Sequence, residues 1–187
     1  MRRCKKEVKK FKSAVIAVVG SKNSGKTATT EVIIRGLTKR GYKVAAVKHI
    51  PHKEFTIDTA HKDTWRFAKS GAVTIVSLAP KEIATIEKTD TSNISLNEIL
   101  KKCRENDFVV IEGFRKLLGK NKAIPKIVAV KSAGEALEAS KIFKPIIAFT
   151  GPYPTGELAL DVPYINVLRE EEKIVDVIEK TFKKLEV

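Results

Sequence analysis

The chain has 187 residues, 43% of them hydrophobic, and carries a formal net charge of +14. This length suffices to bury a hydrophobic core without disulfides or metals. The two cysteines form no CxxC pair, which suggests no disulfide framework and agrees with a reducing compartment. No apolar run approaches the ~20 residues of a membrane span, and the run after the basic N-terminus is too short for a signal peptide, so we expect a cytoplasmic protein.

The positive charge is concentrated at the start of the chain. Residues 1–12 hold seven Lys or Arg against one Glu. We interpret them as a solvated basic arm, followed by a single domain over 13–187. A contact with nucleic acid, anionic lipid or an acidic partner is the alternative. No aromatic or arginine-rich recognition pattern accompanies the charge, which argues against nucleic acid.

Strand-like apolar runs alternate with helical patterns along the chain. The predicted strands are 14–19, 43–48, 72–78, 82–88, 107–111, 126–130 and 145–149. The predicted helices are 26–40, 63–70, 95–104, 135–140 and one from about 169, whose apolar face carries Ile174, Ile178, Phe182 and Leu185. This alternation predicts a three-layer α/β domain with a mostly parallel sheet and helices on both faces.

The turn between the first strand and the first helix reads GSKNSGKT, over residues 20–27. It matches the phosphate-loop pattern G-x-x-x-x-G-K-[ST] in full, in the strand–loop–helix context that the pattern requires. Glycines let backbone N–H groups point at phosphate oxygens, and the helix adds its positive end. We expect Lys26 to reach the β- and γ-phosphates and the Thr27 hydroxyl to bind Mg²⁺. The predicted phosphate-binding residues are Gly20, Ser21, Asn23, Ser24, Gly25, Lys26 and Thr27. The fold class is therefore P-loop NTPase-like.

An acid on a neighbouring strand should complete a Mg²⁺ site. The segment NDFVVIEGF offers Asp107 at the start of a strand and Glu112 at its end. Ligands of open α/β sheets bind beyond the carboxyl ends of the strands, so Glu112 is the preferred metal-side acid. Asp107 is interpreted as a cap of the preceding turn.

All three histidines lie in one polar segment: His49, His52 and His61, interleaved with Asp58 and Asp63. A transition-metal site is one interpretation of this cluster. The absence of HExxH spacing and of a nearby thiolate favours the other, a loop that serves the nucleotide site. Asp58 is then a candidate Mg²⁺ ligand, because hard cations prefer carboxylates.

Three blocks together resemble the MobB family, adapter proteins of molybdopterin-guanine dinucleotide biosynthesis. They are the phosphate loop with its helix and GYKVAAVKH, then DTAHKDTWRFAKSGA, then DFVVIEGFRK followed by PKIV. They span residues 14 to about 130. The family's D-x-x-G-K-D-S block has His61 in place of its glycine and Thr64 in place of its serine.

The resemblance implies a GTP-binding homodimer. Such a protein assists a partner guanylyltransferase in attaching GMP to molybdopterin, and its own GTP hydrolysis is weak. Matched to the family's blocks, Thr27, Asp58 and Glu112 become Mg²⁺-side residues. Four further residues would line the site for nucleotide, molybdopterin or its guanine dinucleotide: Lys48, His49, Lys62 and Asp63.

Guanine preference rests on the resemblance. NKAI, residues 121–124, begins like the guanine-reading motif Asn-Lys-x-Asp, but Ile124 replaces the aspartate, and we interpret the segment as a loop. Two other functions stay open. One is a P-loop kinase or ligase that uses ATP on a small acid, and the other is a metallochaperone GTPase.

Overall fold

The computed structural model describes residues 13–151 and 161–183. The predicted basic arm at 1–12 and Leu185 of the last helix lie outside the described residues. The chain divides into two compact units, one formed by Ile50–Ile99 and the other by the residues before and after it. The single domain over 13–187 stays a prediction. No helix in the described ranges is both long and apolar enough to cross a membrane.

The secondary structure follows the predicted alternation closely. In chain order, the elements of the described residues are β1 (Ala14–Gly20), α1 (Lys26–Lys39), β2 (Val44–Lys48), α2 (Asp63–Lys69), β3 (Thr74–Ala79), β4 (Glu82–Glu87), α3 (Leu96–Lys101), β5 (Phe108–Glu112), α4 (Arg115–Leu118), β6 (Lys126–Ala129), α5 (Ala133–Ile142), β7 (Ile146–Thr150), β8 (Tyr164–Ile165) and α6 (Glu171–Lys183).

The first unit is built on a sheet whose order, within the described residues, is β2-β5-β1-β6-β7-β8. Every adjacent pair in it is parallel. This confirms the predicted three-layer α/β fold with a mostly parallel sheet. The strand β1 lies between β5 and β6, so the chain crosses from one side of β1 to the other. Open parallel sheets bind ligands at the carboxyl end of such a crossing point.

Apolar side chains on both faces explain why these segments become central strands. The strands β5 and β6 are buried along their whole length. Ile16 and Val18 of β1 join a core cluster with α1 and α6, while the alternate residues Ala17 and Val19 are buried on the other face.

The helices α1 and α6 approach closely because α1 has a glycine at the crossing. A Cβ atom on Gly36 would lie 2.4 Å from Val175 Cγ2 of α6. Arg40 at the end of α1 contacts the carboxylates of Glu172 and Asp176 at 2.7 and 2.8 Å. These contacts hold α1 against α6.

Three details differ from the sequence predictions. The four-residue α4 and the two-residue β8 were not predicted. Asp107 does not cap the preceding turn: its carboxylate accepts a 2.7 Å hydrogen bond from the Lys43 N–H and so joins the starts of β5 and β2. By contrast, Ser95 begins α3 as expected, since its hydroxyl accepts from the Glu98 N–H at 3.3 Å.

The second unit contains the antiparallel pair β3–β4 and the helix α2. The strands pair from Thr74↔Glu87 to Ala79↔Glu82 around the Pro80 turn, as a separate sheet. Ile75 of β3 is buried, and α2 contacts β3. Alternate residues point to the opposite face, which exposes Val76, Leu78 and Ile83 at 55%, 78% and 69%. We call Val76, Leu78 and Ile83 the hairpin face.

Candidate functional site

The phosphate-loop sequence adopts the strand–turn–helix geometry that its pattern requires. It begins as β1 ends, and α1 begins at Lys26. Gly25 has φ 89° and Asn23 has φ 60°, both in the left-handed region. At Gly20 the constraint is space, because a Cβ atom there would lie 2.2 Å from the Ala129 carbonyl oxygen of β6. The loop thus turns tightly at the crossing point of the sheet.

Side chains inside the loop hold its shape. The Ser24 side chain is fully buried, and its hydroxyl donates a 3.0 Å hydrogen bond to the Ser21 carbonyl oxygen. The ammonium group of Lys26 donates to the same oxygen. The loop therefore closes around the Ser21 carbonyl, and Lys26 lies folded over it.

Glu112 brings an acid to this loop from the end of β5. It pairs with Val18 of β1 on one side and with Lys48 of β2 on the other. Its Oε1 accepts a 3.3 Å hydrogen bond from the Thr27 hydroxyl and lies 3.3 Å from Lys48 Nζ. Glu112 is only 8% exposed. The residues predicted as the two halves of the site, Thr27 and Glu112, are thus in direct contact.

The residues after β5 and β2 are locked together. The N–H of His49 donates to the Glu112 carbonyl oxygen at 3.0 Å. The His49 ring lies 4.5 Å from the Phe114 ring, centroid to centroid. Gly113 separates Glu112 and Phe114 at φ 93°, where an added Cβ would lie 3.0 Å from His49 Cβ. Lys48 and His49 are therefore held at the site by the Glu-Gly-Phe sequence.

Burial and the charged groups near Lys26 together lower its pKa. Burial lowers the pKa of Lys26 below its ordinary value. Glu112 opposes this effect, while the positive charges of Lys48 and Lys131 lower the pKa further. An anion that entered the loop would favour the charged form of Lys26.

The donor set at Glu112 fits a Mg²⁺ ion. The Thr27 hydroxyl and the Glu112 carboxylate supply hard oxygen atoms, which Mg²⁺ prefers. The ammonium group of Lys48 contacts both, at 3.5 Å from Thr27 Oγ1 and 3.3 Å from Glu112 Oε1, so the pair already attracts a positive charge. Mg²⁺ takes one or two protein oxygens and completes its shell with phosphates and water.

The remaining predicted residues, Asp58, Lys62 and Asp63, belong to the second unit. Asp58 Oδ1 accepts a 2.8 Å hydrogen bond from the Thr64 hydroxyl, and Asp58 Oδ2 is buried without a hydrogen-bond partner in the described part of the chain. Lys62 directly precedes α2, and Asp63 begins it, 3.6 Å from Arg66. The unsatisfied oxygen of Asp58 is the feature here that suits a cation.

His61 has an unusual backbone conformation for a residue other than glycine. His61 has φ 69°, in the left-handed region that glycine adopts without strain. The family's glycine at this place in the block suits such a backbone. In this chain the His61 ring lies 5.0 Å from the Trp65 ring, and this contact helps to hold the strained residue. Among the described residues, no group of three His, Cys, Asp or Glu side chains is arranged to hold a metal ion.

Residues 121–124 lie at the opposite end of the sheet from the phosphate loop. They precede β6, whereas the phosphate loop follows the carboxyl end of β1. Asn121 Oδ1 accepts a 2.9 Å hydrogen bond from the Ala123 N–H, and Ile124 is buried. This segment is a loop, as predicted, and it is not positioned to contact a nucleotide held by the phosphate loop.

Glu135 is a neighbour of the phosphate loop that the sequence analysis missed. Both of its carboxylate oxygens accept from the Ser21 hydroxyl, at 3.2 and 3.3 Å, although Glu135 lies in α5. It stands three residues after Ser132, whose hydroxyl caps α5 by accepting from the Glu135 N–H. The capping-box spacing S-x-x-E was visible in the sequence, but nothing local indicated the contact with Ser21.

Comparison with known proteins gives a consistent result. The family model described as "Molybdopterin guanine dinucleotide synthesis protein B" (MobB) matches residues 15–151. A "Putative molybdopterin-guanine dinucleotide biosynthesis adapter protein" from Methanocaldococcus jannaschii is 36% identical over 118 residues, which cover 63% of this chain and 47% of that protein. A "Probable molybdopterin-guanine dinucleotide biosynthesis adapter protein" from Bacillus subtilis is 34% identical over 134 residues, 68% of this chain and 72% of that protein. The chain thus spans about half the length of the archaeal relative.

Solved structures show the same fold. A crystal structure of "molybdopterin-guanine biosynthesis protein B (mobB)" superimposes with a TM-score of 0.66 at 25% identity, covering 90% of this chain and 99% of that one. A MobB homologue from Bacillus stearothermophilus gives a TM-score of 0.64 at 21% identity, with 90% and 98% coverage. The agreement extends well beyond the segment on which the sequence resemblance rests.

Proposed function

The chain belongs to the MobB family, and we propose that it is a GTP-binding adapter in molybdopterin-guanine dinucleotide biosynthesis. In this role it assists a partner guanylyltransferase, which attaches GMP to molybdopterin. The names of its relatives support an adapter of this pathway. The proposal puts the protein in the cytoplasm, because that compartment supplies GTP with Mg²⁺.

One observation carries the nucleotide part of the proposal. Thr27 of the phosphate loop lies 3.3 Å from Glu112, a nearly buried acid at the end of the adjacent strand. A hydroxyl and a carboxylate in this arrangement are the protein's contribution to a Mg²⁺–triphosphate site. The loop would cradle the phosphates through its backbone, and Lys26 would move from the Ser21 carbonyl oxygen to the β- and γ-phosphates.

The ion is proposed to be Mg²⁺, with Thr27 and Glu112 as its side-chain neighbours. It would balance phosphate charge, and Lys48 would be released from Glu112 to contact the nucleotide or molybdopterin. Asp58 is proposed as a further ligand, supported by its unsatisfied Oδ2. His49, Lys62 and Asp63 are proposed to line the site for nucleotide or molybdopterin.

Hydrolysis of GTP by the chain alone is proposed to be weak. Fast P-loop GTPases position the attacking water with a glutamine and stabilise the transition state with an arginine. The sequence contains no glutamine at all. We therefore assign no catalytic residue and place the chemistry of GMP transfer on the partner enzyme.

A calorimetric titration tests the proposed nucleotide. We expect the purified protein with Mg²⁺ to bind a non-hydrolysable GTP analogue at least about tenfold more tightly than the matching ATP analogue. A molybdopterin guanylyltransferase should then co-purify with the protein in the presence of the GTP analogue.

Any of three results would contradict this proposal. A preference for the ATP analogue would move the chain to the ATP-using kinases and ligases, which turn over a small acid. Nickel- or cobalt-dependent dimerisation would indicate a metallochaperone instead. Binding of neither analogue would contradict nucleotide binding by the isolated chain.

The hairpin face supports the proposed homodimer. Val76, Leu78 and Ile83 form an exposed apolar surface, with Leu78 directly opposite Ile83 in the strand pairing. Among the residues that the structure describes, no third strand pairs with either outer edge of this sheet. An isolated two-stranded sheet is marginally stable. A second copy related by a two-fold axis presents the same apolar surface and can cover the first.

The double variant Leu78→Glu with Ile83→Glu is expected to convert the dimer to a monomer. The free-energy cost of burying two carboxylates against a second copy is much larger than the free energy that the apolar contact contributes. Sedimentation velocity measures the change. The matched control is Leu168→Glu, because Leu168 is 70% exposed but lies outside the hairpin face. A monomeric wild type, or a double variant that still dimerises, would refute the proposal.

A further inference from the structure

The phosphate loop has a carboxylate neighbour on the side away from Glu112. The strands β1 and β6 are paired as far as Gly20↔Ala129, and the chain then turns through Lys131 into α5. This turn brings Glu135 to Ser21, the residue that follows Gly20, at 3.2 and 3.3 Å. The contact joins residues 114 positions apart in the chain.

An acid beside a phosphate site is unfavourable unless its charge is balanced. Glu135 Oε2 accepts a 2.8 Å hydrogen bond from the Lys131 N–H, and Glu135 Oε1 lies 3.4 Å from Lys131 Nζ. Desolvation alone would raise the pKa of Glu135, but the hydrogen bonds from Lys131 and Ser21 and the charge of Lys131 outweigh it and lower the pKa. Glu135 is thus ionised at neutral pH, and Lys131 offsets its charge.

The contact has a mechanical consequence for the loop. The Ser21 carbonyl oxygen accepts from both Ser24 and Lys26, so the position of Ser21 sets where the loop closes. The carboxylate of Glu135 accepts hydrogen bonds from the Ser21 hydroxyl. Ser21 is therefore held in two ways: its carbonyl oxygen bonds to Ser24 and Lys26 of the loop itself, and its hydroxyl bonds to Glu135 of α5.

We propose that Glu135 is a positioning residue for nucleotide binding, which holds the phosphate loop in its binding shape through the Ser21 hydroxyl while Lys131 balances its charge. This inference rests on the proposed nucleotide-binding function. It assigns to Glu135 no contact with the nucleotide itself. The helix-capping contacts of Glu135 are a separate role, and the test must keep the two apart.

Nucleotide affinity of three variants tests the proposal. Glu135→Ala should weaken binding of the Mg²⁺–GTP analogue about tenfold, because one charged hydrogen bond to the loop is lost. Glu135→Gln keeps an oxygen that can accept from Ser21, and its affinity should stay within about threefold of wild type. Ser132→Ala removes the cap of α5 but leaves the Glu135–Ser21 contact, so it should lower thermal stability without changing affinity.

A double-mutant cycle with Ser21→Ala gives the second readout. If Glu135 acts through Ser21, then Glu135→Ala should have little further effect on affinity in the Ser21→Ala background. Affinity that rises or stays unchanged in Glu135→Ala overturns the proposal. Equal losses in Glu135→Ala, Glu135→Gln and Ser132→Ala also overturn it, because they would reflect helix stability alone.

Hydrogen exchange without nucleotide separates failure of this inference from failure of nucleotide binding. The amides of residues 21–25 should exchange about tenfold faster in Glu135→Ala than in wild type, and at the wild-type rate in Glu135→Gln. This result does not depend on whether GTP binds. Unchanged exchange in Glu135→Ala would show that the contact does not hold the loop.

Discussion

Lys26→Ala is expected to weaken binding of a Mg²⁺–GTP analogue about 100-fold. Lys26 lies folded over the Ser21 carbonyl oxygen in the phosphate loop, close to the acid Glu112. A lysine so placed supplies charged hydrogen bonds to phosphate, each among the strongest contacts available to a protein. Its loss should appear directly in the dissociation constant measured by calorimetry.

Lys22→Ala is the matched control for Lys26→Ala. Lys22 lies in the same loop and has the same charge, but its side chain is exposed. If non-specific electrostatic attraction between the basic loop and phosphate explains binding, both variants should lose nucleotide affinity to the same extent. We expect Lys22→Ala to stay within about threefold of wild type, since exposed charges are well screened. Circular dichroism of both variants should match that of wild type.

Gly20→Ala is expected to destabilise the protein by about 3 kcal/mol and to abolish nucleotide binding. An alanine Cβ would lie 2.2 Å from the Ala129 carbonyl oxygen and 2.7 Å from Ser24 Oγ. The Ala129 carbonyl oxygen belongs to the backbone of a paired strand. The clash can therefore be relieved only if β1 and β6 separate where the phosphate loop begins. Overpacking of this kind costs about 1–3 kcal/mol, and backbone strain adds to it.

Gly41→Ala separates the effect of crowding from that of backbone strain. Gly41 has φ 89°, but no heavy atom would lie within 4 Å of its added Cβ. Strain alone should cost about 1 kcal/mol there. Urea unfolding gives both free energies. Equal losses in Gly20→Ala and Gly41→Ala would show that contact with Ala129 does not constrain the loop.

The central part of the fold could be predicted from local patterns. Buried parallel strands contain continuous apolar runs, and 108–111 and 127–130 are clear examples. The phosphate loop could be recognised because its chemistry requires glycines, a lysine and a hydroxyl at fixed spacing. Glu112 followed from one topological rule, that ligands gather at the carboxyl ends of parallel strands.

The features that local patterns did not predict depend on contacts between distant parts of the chain. The elements α4 and β8 have four and two residues, which are too few to show the hydrophobic periodicity of a helix or a strand. Glu135 lies in an alanine-rich surface helix, and only the pairing of β6 with β1 brings it to Ser21. The Asp107 carboxylate accepts from the Lys43 N–H for the same reason: β5 lies beside β2, although the two residues are 64 positions apart in the chain.

The pairing of Glu112 with Val18 and with Lys48 makes the geometry of the proposed Mg²⁺ site depend on the alignment of β5 in the sheet. Successive side chains of a strand point to opposite faces, so a slip of β5 by one residue would set Ile111 or Gly113 beside Lys48. A misaligned chain can be compact and still lack the acid beside Thr27. If the proposed site binds Mg²⁺ and nucleotide, the ligand would stabilise by mass action only the sheet in which β5 is correctly aligned.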